Sequence, residues 1–418
     1  MRIAIIGTGI SGLVAARELH PNHDLTIFEA AGHIGGHTNT VTVQRPHGHY
    51  AVDTGFIVFN DRTYPKFEKL LDELGVASQP ADMSFSVKCA RTGLEYNGTS
   101  LNRLFAQRRN LCRPSFWRML GDIRRFNRSG KAFLTSGEND PNLSLGEFLE
   151  RSRFSSELAE HYVLPMGAAI WSASRNAMLE FPLTFFLKFL DHHGLLSIDD
   201  RPQWRTVAGG SQTYVNALIK PFEDRIQIRC PIHLVTRNSD GVRLFPINGK
   251  PQAFDHVVFA THADQTLAML EAPTELEREI LSSFPYQENL AVLHTDTTIL
   301  PKRQLAWACW NYHLLPDGTG KVAVTYNMNL LQRLKAPETF CVTLNDLDHI
   351  DPSKIIRSIV YHHPVFTPEG VANQGRFEEI NGKNHSSFAG AYWFSGFHED
   401  GVRSGQRVAA RLREVAHA

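Results

Sequence analysis

The sequence predicts an α/β fold in which a parallel-sheet, Rossmann-like unit is interleaved with a second unit. Three observations near the N-terminus predict it. Ile3-Ala4-Ile5-Ile6 is a short apolar run of the kind buried on both faces of a parallel sheet. Gly7-Thr8-Gly9-Ile10-Ser11-Gly12 follows at once as a G-x-G-x-x-G turn. Leu13 to His20 then reads as a helix stopped by Pro21, and Asp24 to Phe28 as a second strand ending at Glu29.

Each part has a physical task. Gly7 permits the tight turn, Gly9 lets the backbone approach a pyrophosphate, and Gly12 lets the helix lie close to the strand. The helix start offers free N–H groups and a positive dipole end to the phosphates at Ile10 and Ser11. An acid at Glu29, about 20 residues on, suits ribose hydroxyls. A charged start, an apolar run and small residues also fit a secretory signal, but the three glycines interrupt any helix through it, and cleavage would destroy the turn. The expectation is a cytoplasmic protein.

Composition excludes little. Lys plus Arg equals Asp plus Glu, 43 each, so overall charge selects no partner. The five cysteines, Cys89, Cys112, Cys230, Cys309 and Cys341, are widely spaced without a CxxC pair, which suits small buried thiols in a reducing compartment. No run reaches the roughly 18 apolar residues of a membrane span. The adjacent pairs His192-His193 and His362-His363 point to different sides of an element, and neither an H-E-x-x-H motif nor a cysteine cluster occurs, so no metal is expected.

After Glu29, the stretch Ala30 to Thr38 carries a second glycine pair, Gly35-Gly36, followed by His37. This pattern resembles the FAD fingerprint of the flavin amine oxidase superfamily, which includes monoamine oxidases, protoporphyrinogen oxidases and phytoene desaturases. Many members have Arg after the glycine pair, where this chain has His37. Val52-Asp53-Thr54-Gly55-Phe56 is similar to the loop beside the flavin. Ala208-Gly209-Gly210-Ser211-Gln212 is similar to the element that returns the chain to the FAD domain. Ile226 to Ile228 and His256 to Thr261 are similar to later strands of that domain. Ser395 to Gly405 has the spacing of the C-terminal motif that aims a helix start at the flavin.

The resemblance implies the GR2-type flavin amine oxidase fold, with a mixed-sheet plus helical substrate domain. The FAD-binding segments would be 1–78, 204–266 and 386–418, and the substrate segments 79–203 and 267–385. FAD would be held by Gly7, Gly9, Ile10, Ser11, Gly12, Glu29, Ala30, Gly35, Gly36, His37, Thr38, Asp53, Thr54, Gly55, Phe56, Ile232, Ala260, Thr261, Gly396, Asp400, Gly401 and Val402. A helix from about Gly401 to Val415 would face the flavin, with Glu399 and Asp400 read first as capping acids. Trp310 and Tyr326, on two strand-like runs, would face the flavin, as would Trp307, Asn311, Tyr312 and Asn327. Phe397 stands where a cage tyrosine often stands, and Tyr392 and Trp393 offer further aromatic surface. The superfamily's active-site lysine has no clear counterpart; Lys302 and Lys321 are both open.

GGHTNTV, VDTGFIVFN, WNY, TYNMNLLQ, HPVF and GAYWFSGFHEDGV look like signatures of a bacterial group of predicted FAD-binding oxidoreductases. That group is associated with cyclopropane-type fatty-acid synthases. The resemblance implies hydride transfer from a substrate C–H to flavin N5, on a lipophilic substrate such as a methylated or unsaturated fatty-acyl chain. An amine oxidase, or a non-catalytic FAD-binding partner of a lipid methyltransferase, remains open.

Residues 101–131 hold nine basic residues against the single acid Asp122, interleaved with Leu104, Phe105, Phe116, Trp117, Met119, Leu120 and Phe126. A basic, aromatic helical stretch suits an anionic membrane surface, peripheral on its inner face. A solvated face is the plain alternative, and no nucleic-acid motif accompanies the stretch. FPLTFFLKFL, Phe181 to Leu190, is apolar around most of a helix; it reads as core that could also line an acyl-chain entry.

Overall fold

The structure, a computed structural model, describes residues 1–137, 140, 143–171, 173–197, 202–315 and 323–417, without the side chains of 415–417.

Five parallel strands form the first sheet, in the order Ile226–Gln227, Asp24–Phe28, Arg2–Ile6, His256–Phe259, Ser386–Phe388. Ile3, Ala4 and Ile5 in its centre are wholly buried, as a strand covered on both faces requires. The first helix spans Ile10–Leu19 and the last His398–His417, and they lie side by side. A glycine makes that approach possible: a Cβ on Gly405 would stand 2.5 Å from the Ser11 carbonyl oxygen. Gly12 instead lets the first helix lie close to its turn, where a Cβ would stand 2.1 Å from the Gly7 carbonyl oxygen.

The first helix starts three residues before the expected position because Gly9, in extended conformation, serves as its N-cap. The last helix also starts early. Asp400 accepts the backbone N–H groups of Ser395 and Phe397, which closes the turn in front of it. Glu399 caps a different helix: its carboxylate accepts from the Lys66 and Phe67 N–H groups at the start of Pro65–Leu74.

The second sheet has seven strands, in the order Ile355–Pro364, Tyr286–His294, Cys341–Leu344, Ala323–Asn327, Trp310–Leu314, Phe85–Cys89, Leu94–Asn97. It is mixed: Trp310–Leu314 pairs parallel with Phe85–Cys89 and antiparallel with Ala323–Asn327. Helices between residues 101 and 192 cover it and share a core with it through Tyr312 and Val324.

The expected changes of unit at 266 and 386 do not follow the cores. Met269, Leu270, Ile280, Leu281, Phe284, Phe377 and Ile380 pack in the same cluster as the first sheet. Ile280 and Leu281 are wholly buried there, and Glu277 of their helix is paired at 2.6 Å with Arg237 of the small sheet Ile232–Asn238, Gly241–Pro246, Gln252–Phe254. Cys112 is exposed and Cys230 partly so, against the expectation of five buried thiols.

Candidate active site

One cavity of about 1670 Å³ runs from the glycine turn, past the start of the last helix, to the helix Pro114–Ser136. A single small-molecule site usually takes roughly 300–1,000 Å³, so this cavity has room for a large cofactor and a substrate together.

Its first end is a backbone cradle. Gly7 sits at φ +104°, and a Cβ there would stand 2.5 Å from the Ala260 carbonyl oxygen. A Cβ on Gly9 would meet nothing within 4 Å, since that side of Gly9 is cavity. The first helical bond runs from Leu13 N–H to the Gly9 carbonyl, and no side chain caps the helix. The first-turn N–H groups therefore point at the cradle, as a phosphate requires. Gly36 crosses above: a Cβ on it would stand 3.0 Å from Gly9 Cα. Glu29 accepts from the Thr8 N–H at 2.9 Å, from the Thr8 hydroxyl and from the Ala31 N–H at 2.8 Å, which aims its carboxylate along the cavity wall. Two carboxylate oxygens offer about four acceptor sites, so capacity for ribose hydroxyls remains. An open backbone face, uncapped N–H groups and a fixed acid are what a dinucleotide diphosphate needs, and they fit FAD.

Of the residues expected around the cofactor, Gly7, Gly9, Ile10, Ser11, Glu29, Ala30, Gly35, Gly36, His37, Thr54, Gly55, Phe56, Ile232, Ala260, Thr261 and Gly396 line the cavity. Six stand behind its wall instead. Gly12 packs against the Gly7 turn and Ala260, and Gly401 packs against the first helix, where a Cβ would stand 2.4 Å from Ile10 Cγ2. Val402 is buried core. Asp400 is spent on capping. Thr38 bonds Tyr214 and His398. Asp53 accepts from Ser211 N–H, the Ser211 and Thr40 hydroxyls and Gln332 Nε2. That network ties the Thr40–Arg45/Gly48–Asp53 ribbon to both halves of the chain, and burial raises the Asp53 carboxyl to about 6.

The rest of the cavity is aromatic. Trp310 and Tyr326 are register partners on neighbouring strands, with rings 5.4 Å apart and perpendicular, and both line it. Phe397 stacks on Phe189 at 4.9 Å, and Phe189 meets Trp171 at 4.7 Å. Tyr392 also lines it, with its hydroxyl unpartnered. Trp393 does not: it is 1% exposed, donates to the Phe388 carbonyl and packs on Phe377 in the first core. Adjacent residues of that turn point apart, so only one of the two reaches the cavity. Trp307 is fastened to the Pro301 carbonyl, Asn311 bonds within its own strands, Tyr312 is core and Asn327 caps a helix.

Sequence reasoning missed a histidine cluster. His37, His262 and His363, with His362 beside them, line the wall next to the cradle, the His37 ring 5.2 Å from His363 and 6.3 Å from His262. Burial, then mutual repulsion, depresses the pKa values of His262 and His363 to about 3, and burial takes His37 to about 4. His37, His262 and His363 are therefore neutral at pH 7. Nε2 of His37 and Nδ1 of His262 have no partner in the protein. The signal lay in His37 after the glycine pair, His262 after Thr261 and the pair His362-His363, both of which line the cavity. Among the described residues no group of three or more His, Cys, Asp or Glu side chains is placed to hold a metal ion. No described lysine lines the cavity. The Lys302 backbone bonds Glu95 away from it, and Lys321 lies outside the described residues.

Comparison with known proteins agrees with this geometry. A model of the family described as flavin-containing amine oxidoreductase matches residues 10–317. The chain belongs to that family. This flavin amine oxidoreductase shares its fold with cyclohexylamine oxidase from Brevibacterium oxydans IH-35A, at 17% identity and TM-score 0.70 over 100% of this chain and 99% of the other. It also shares it with a CLA-producing fatty acid isomerase from P. acnes, at 19% identity and TM-score 0.69 over 98% of each chain. A curated relative, probable flavin-containing monooxygenase 1 of Arabidopsis thaliana, is 39% identical over 80 residues, which is 18% of this chain and 15% of that protein. The chain is an FAD-dependent oxidoreductase. Among the described residues no helix is long and apolar enough to cross a membrane.

Proposed function

We propose that this oxidoreductase dehydrogenates a lipophilic substrate, a methylated or unsaturated fatty-acyl chain. The observation that carries this reading is the aromatic corridor of Phe189, Trp171, Phe397, Trp310 and Tyr326, which leads from the glycine cradle to the helix Pro114–Ser136. FAD, when bound, supplies the two-electron acceptor.

The chain's own groups do the rest. The corridor holds an alkyl chain by burial, worth about 0.8 kcal/mol per CH2, and keeps water from the reacting carbon. The neutral histidines add hydrogen-bonding capacity beside the cradle without adding charge. The only described acids on the cavity wall are Glu29, committed to the cradle, and Asp82, which is exposed. A buried ammonium would lack the carboxylate it needs along the corridor. The fatty acid isomerase of the same fold is a precedent for acyl chains in this architecture, as cyclohexylamine oxidase is for amines.

Anaerobic bleaching of the purified yellow protein tests the reading. One arm offers detergent-dispersed phospholipids with methylated or unsaturated chains, the other a panel of primary and secondary amines. Bleaching by lipid supports the proposal, and bleaching by amines alone replaces it with amine oxidation. Bleaching in neither arm until a lipid methyltransferase is added would mark a dependent partner in place of an autonomous enzyme.

A further inference from the structure

The corridor ends at the segment 101–131, and that end has an unusual surface. Leu101 is 76% exposed, Trp117 51% and Leu111 49%. They form one patch. Trp117 Nε1 donates to the Leu111 carbonyl at 2.9 Å, its ring meets Phe105 at 5.4 Å, and the turn Gln304–Ala306, with exposed Leu305, packs beside the helix Leu101–Leu104. Trp117 and Leu101 also line the cavity, together with Leu104, Leu120 and Arg124. The patch is thus the rim of the opening.

Most of the segment's cations have no acidic partner among the described residues, although Arg108 and Arg109 donate to backbone carbonyls. Arg118 is paired with Glu157 and Arg125 with Asp122. Among the described residues the other seven basic side chains of the segment, Arg103, Arg108, Arg109, Arg113, Arg124, Arg128 and Lys131, have no carboxylate within 4.0 Å. Helix geometry sets the arrangement. Phe116, Met119 and Phe126 turn inward, whereas Trp117, Leu120, Arg124, Arg128 and Lys131 share the opposite face at three- and four-residue spacing. Exposed apolar side chains at one end of a helix face that carries cations without carboxylate partners complement an interface of acyl chains under anionic headgroups.

We infer that this rim docks on an anionic phospholipid surface, so that the cavity opens into the bilayer and acyl chains enter without crossing water. The entry of substrate rests on the acyl-chain reading above; the docking does not. It is attraction by several cations plus shallow insertion of Leu101, Leu111 and Trp117, and it weakens as salt screens the charges.

The test is flotation of the FAD-loaded protein with vesicles of phosphatidylglycerol mixed into phosphatidylcholine, against phosphatidylcholine alone, at low and high salt. Two variants avoid the cavity wall: the triple Arg103→Glu, Arg128→Glu, Lys131→Glu, and Leu111→Ser. The expected result is binding to the anionic vesicles only, lost at high salt. The triple variant should bind at least tenfold more weakly and Leu111→Ser severalfold more weakly. Both should keep the FAD content, melting temperature and bleaching by detergent-dispersed acyl substrate of the parent. Absence of binding at low salt overturns the inference, as does undiminished binding by the triple variant. Capture of a single-stranded oligonucleotide in preference to the vesicles also overturns it and makes the patch a nucleic-acid surface. Vesicle binding without bleaching by any acyl substrate would sink the substrate reading and leave the docking intact; bleaching in detergent without vesicle binding would do the reverse.

Discussion

The imidazole of His398 lies flat on the ring of Phe56, with centroids 3.6 Å apart and planes 5° apart. Nε2 of the same imidazole is 2.6 Å from the Tyr214 hydroxyl, which in turn bonds Thr38. One side chain therefore fastens the start of the last helix to the Asp53–Phe56 loop and to the helix Gln212–Ile219. Burial, with a smaller repulsion from His37, holds its pKa well below the ordinary value, so it acts as a neutral ring. His398→Ala removes the stack and one partner of Tyr214. The expected loss is about 2–3 kcal/mol of stability, with weaker FAD retention. His398→Phe keeps the stack and should recover part of the loss. Thermal melts and flavin release check both; equal melting of the two variants would remove the stack as the cause.

Gly9 and Gly12 separate cofactor binding from folding. Gly9→Ala adds a methyl group into open cavity at an ordinary φ of −63°, so stability should change by no more than about 1 kcal/mol. The methyl group occupies the space through which a diphosphate reaches the backbone, and FAD affinity should fall at least tenfold. Gly12→Ala drives a methyl group against the Gly7 carbonyl, and Gly405→Ala against that of Ser11. Each should cost about 1–3 kcal/mol or more. Flavin fluorescence during titration, beside a melting curve, reads the two effects apart.

The cradle was legible because it is local: strand, turn, helix and acid lie within residues 3–29, and each glycine answers to one steric demand. The second sheet, as a mixed sheet, followed from the resemblance. What escaped is what the chain assembles across distance. Phe56 and His398 are 342 positions apart in the sequence. Glu399 looked like a cap for its own helix and caps Pro65–Leu74, a relation that no local pattern encodes. Asp53 sits in a motif beside the cofactor, yet its carboxylate turns back to Ser211 and Gln332, because Thr54 and Phe56, not Asp53, occupy the cavity side. Tyr392 and Trp393 are adjacent aromatic residues with opposite fates, a matter of which way a turn points.

Acid should destabilise the protein. His37 and His193 are depressed to about 4 and His262 and His363 to about 3, in each case chiefly by burial. Below roughly pH 6.5 the unfolded chain binds protons that the folded chain refuses, so stability is lost as pH falls from there toward 4. Asp53 and Asp400 act oppositely: burial raises them to about 6 and about 7, so the folded chain keeps protons the unfolded chain has released, and stability falls as pH rises from about 4 to those values. The four histidines outweigh the two acids throughout, because half of each histidine's unfolded-state titration still lies above about 6.5. Melting temperature should therefore rise from about pH 4.5 to 6.5 and level off near neutral pH. Asp400→Asn removes an opposing contribution and should steepen that rise. A melting temperature that climbs as pH is lowered from 6.5 to 4.5 would refute the assignment.

Gly121 offers the sharpest test of the corridor as a substrate path. It lies in the helix Pro114–Ser136, exposed, where that helix borders the cavity, and a Cβ on it would meet nothing within 4 Å. Glycine in a helix interior is worth roughly 1 kcal/mol less than alanine, so Gly121→Ala should stabilise the fold slightly and leave turnover alone. Tryptophan is still tolerated better in a helix than glycine, but Gly121→Trp places an indole at the opening. FAD content and melting temperature should change little, since the cradle is at the other end of the cavity and a side chain at 121 meets open space. KM for a long-chain acyl substrate should rise about tenfold, while a short substrate that does not fill the opening is spared. Steady-state kinetics on a series of chain lengths reads this directly. If the indole slows short and long substrates alike, or neither, the substrate reaches the cavity by another route and the corridor is only a packed aromatic core.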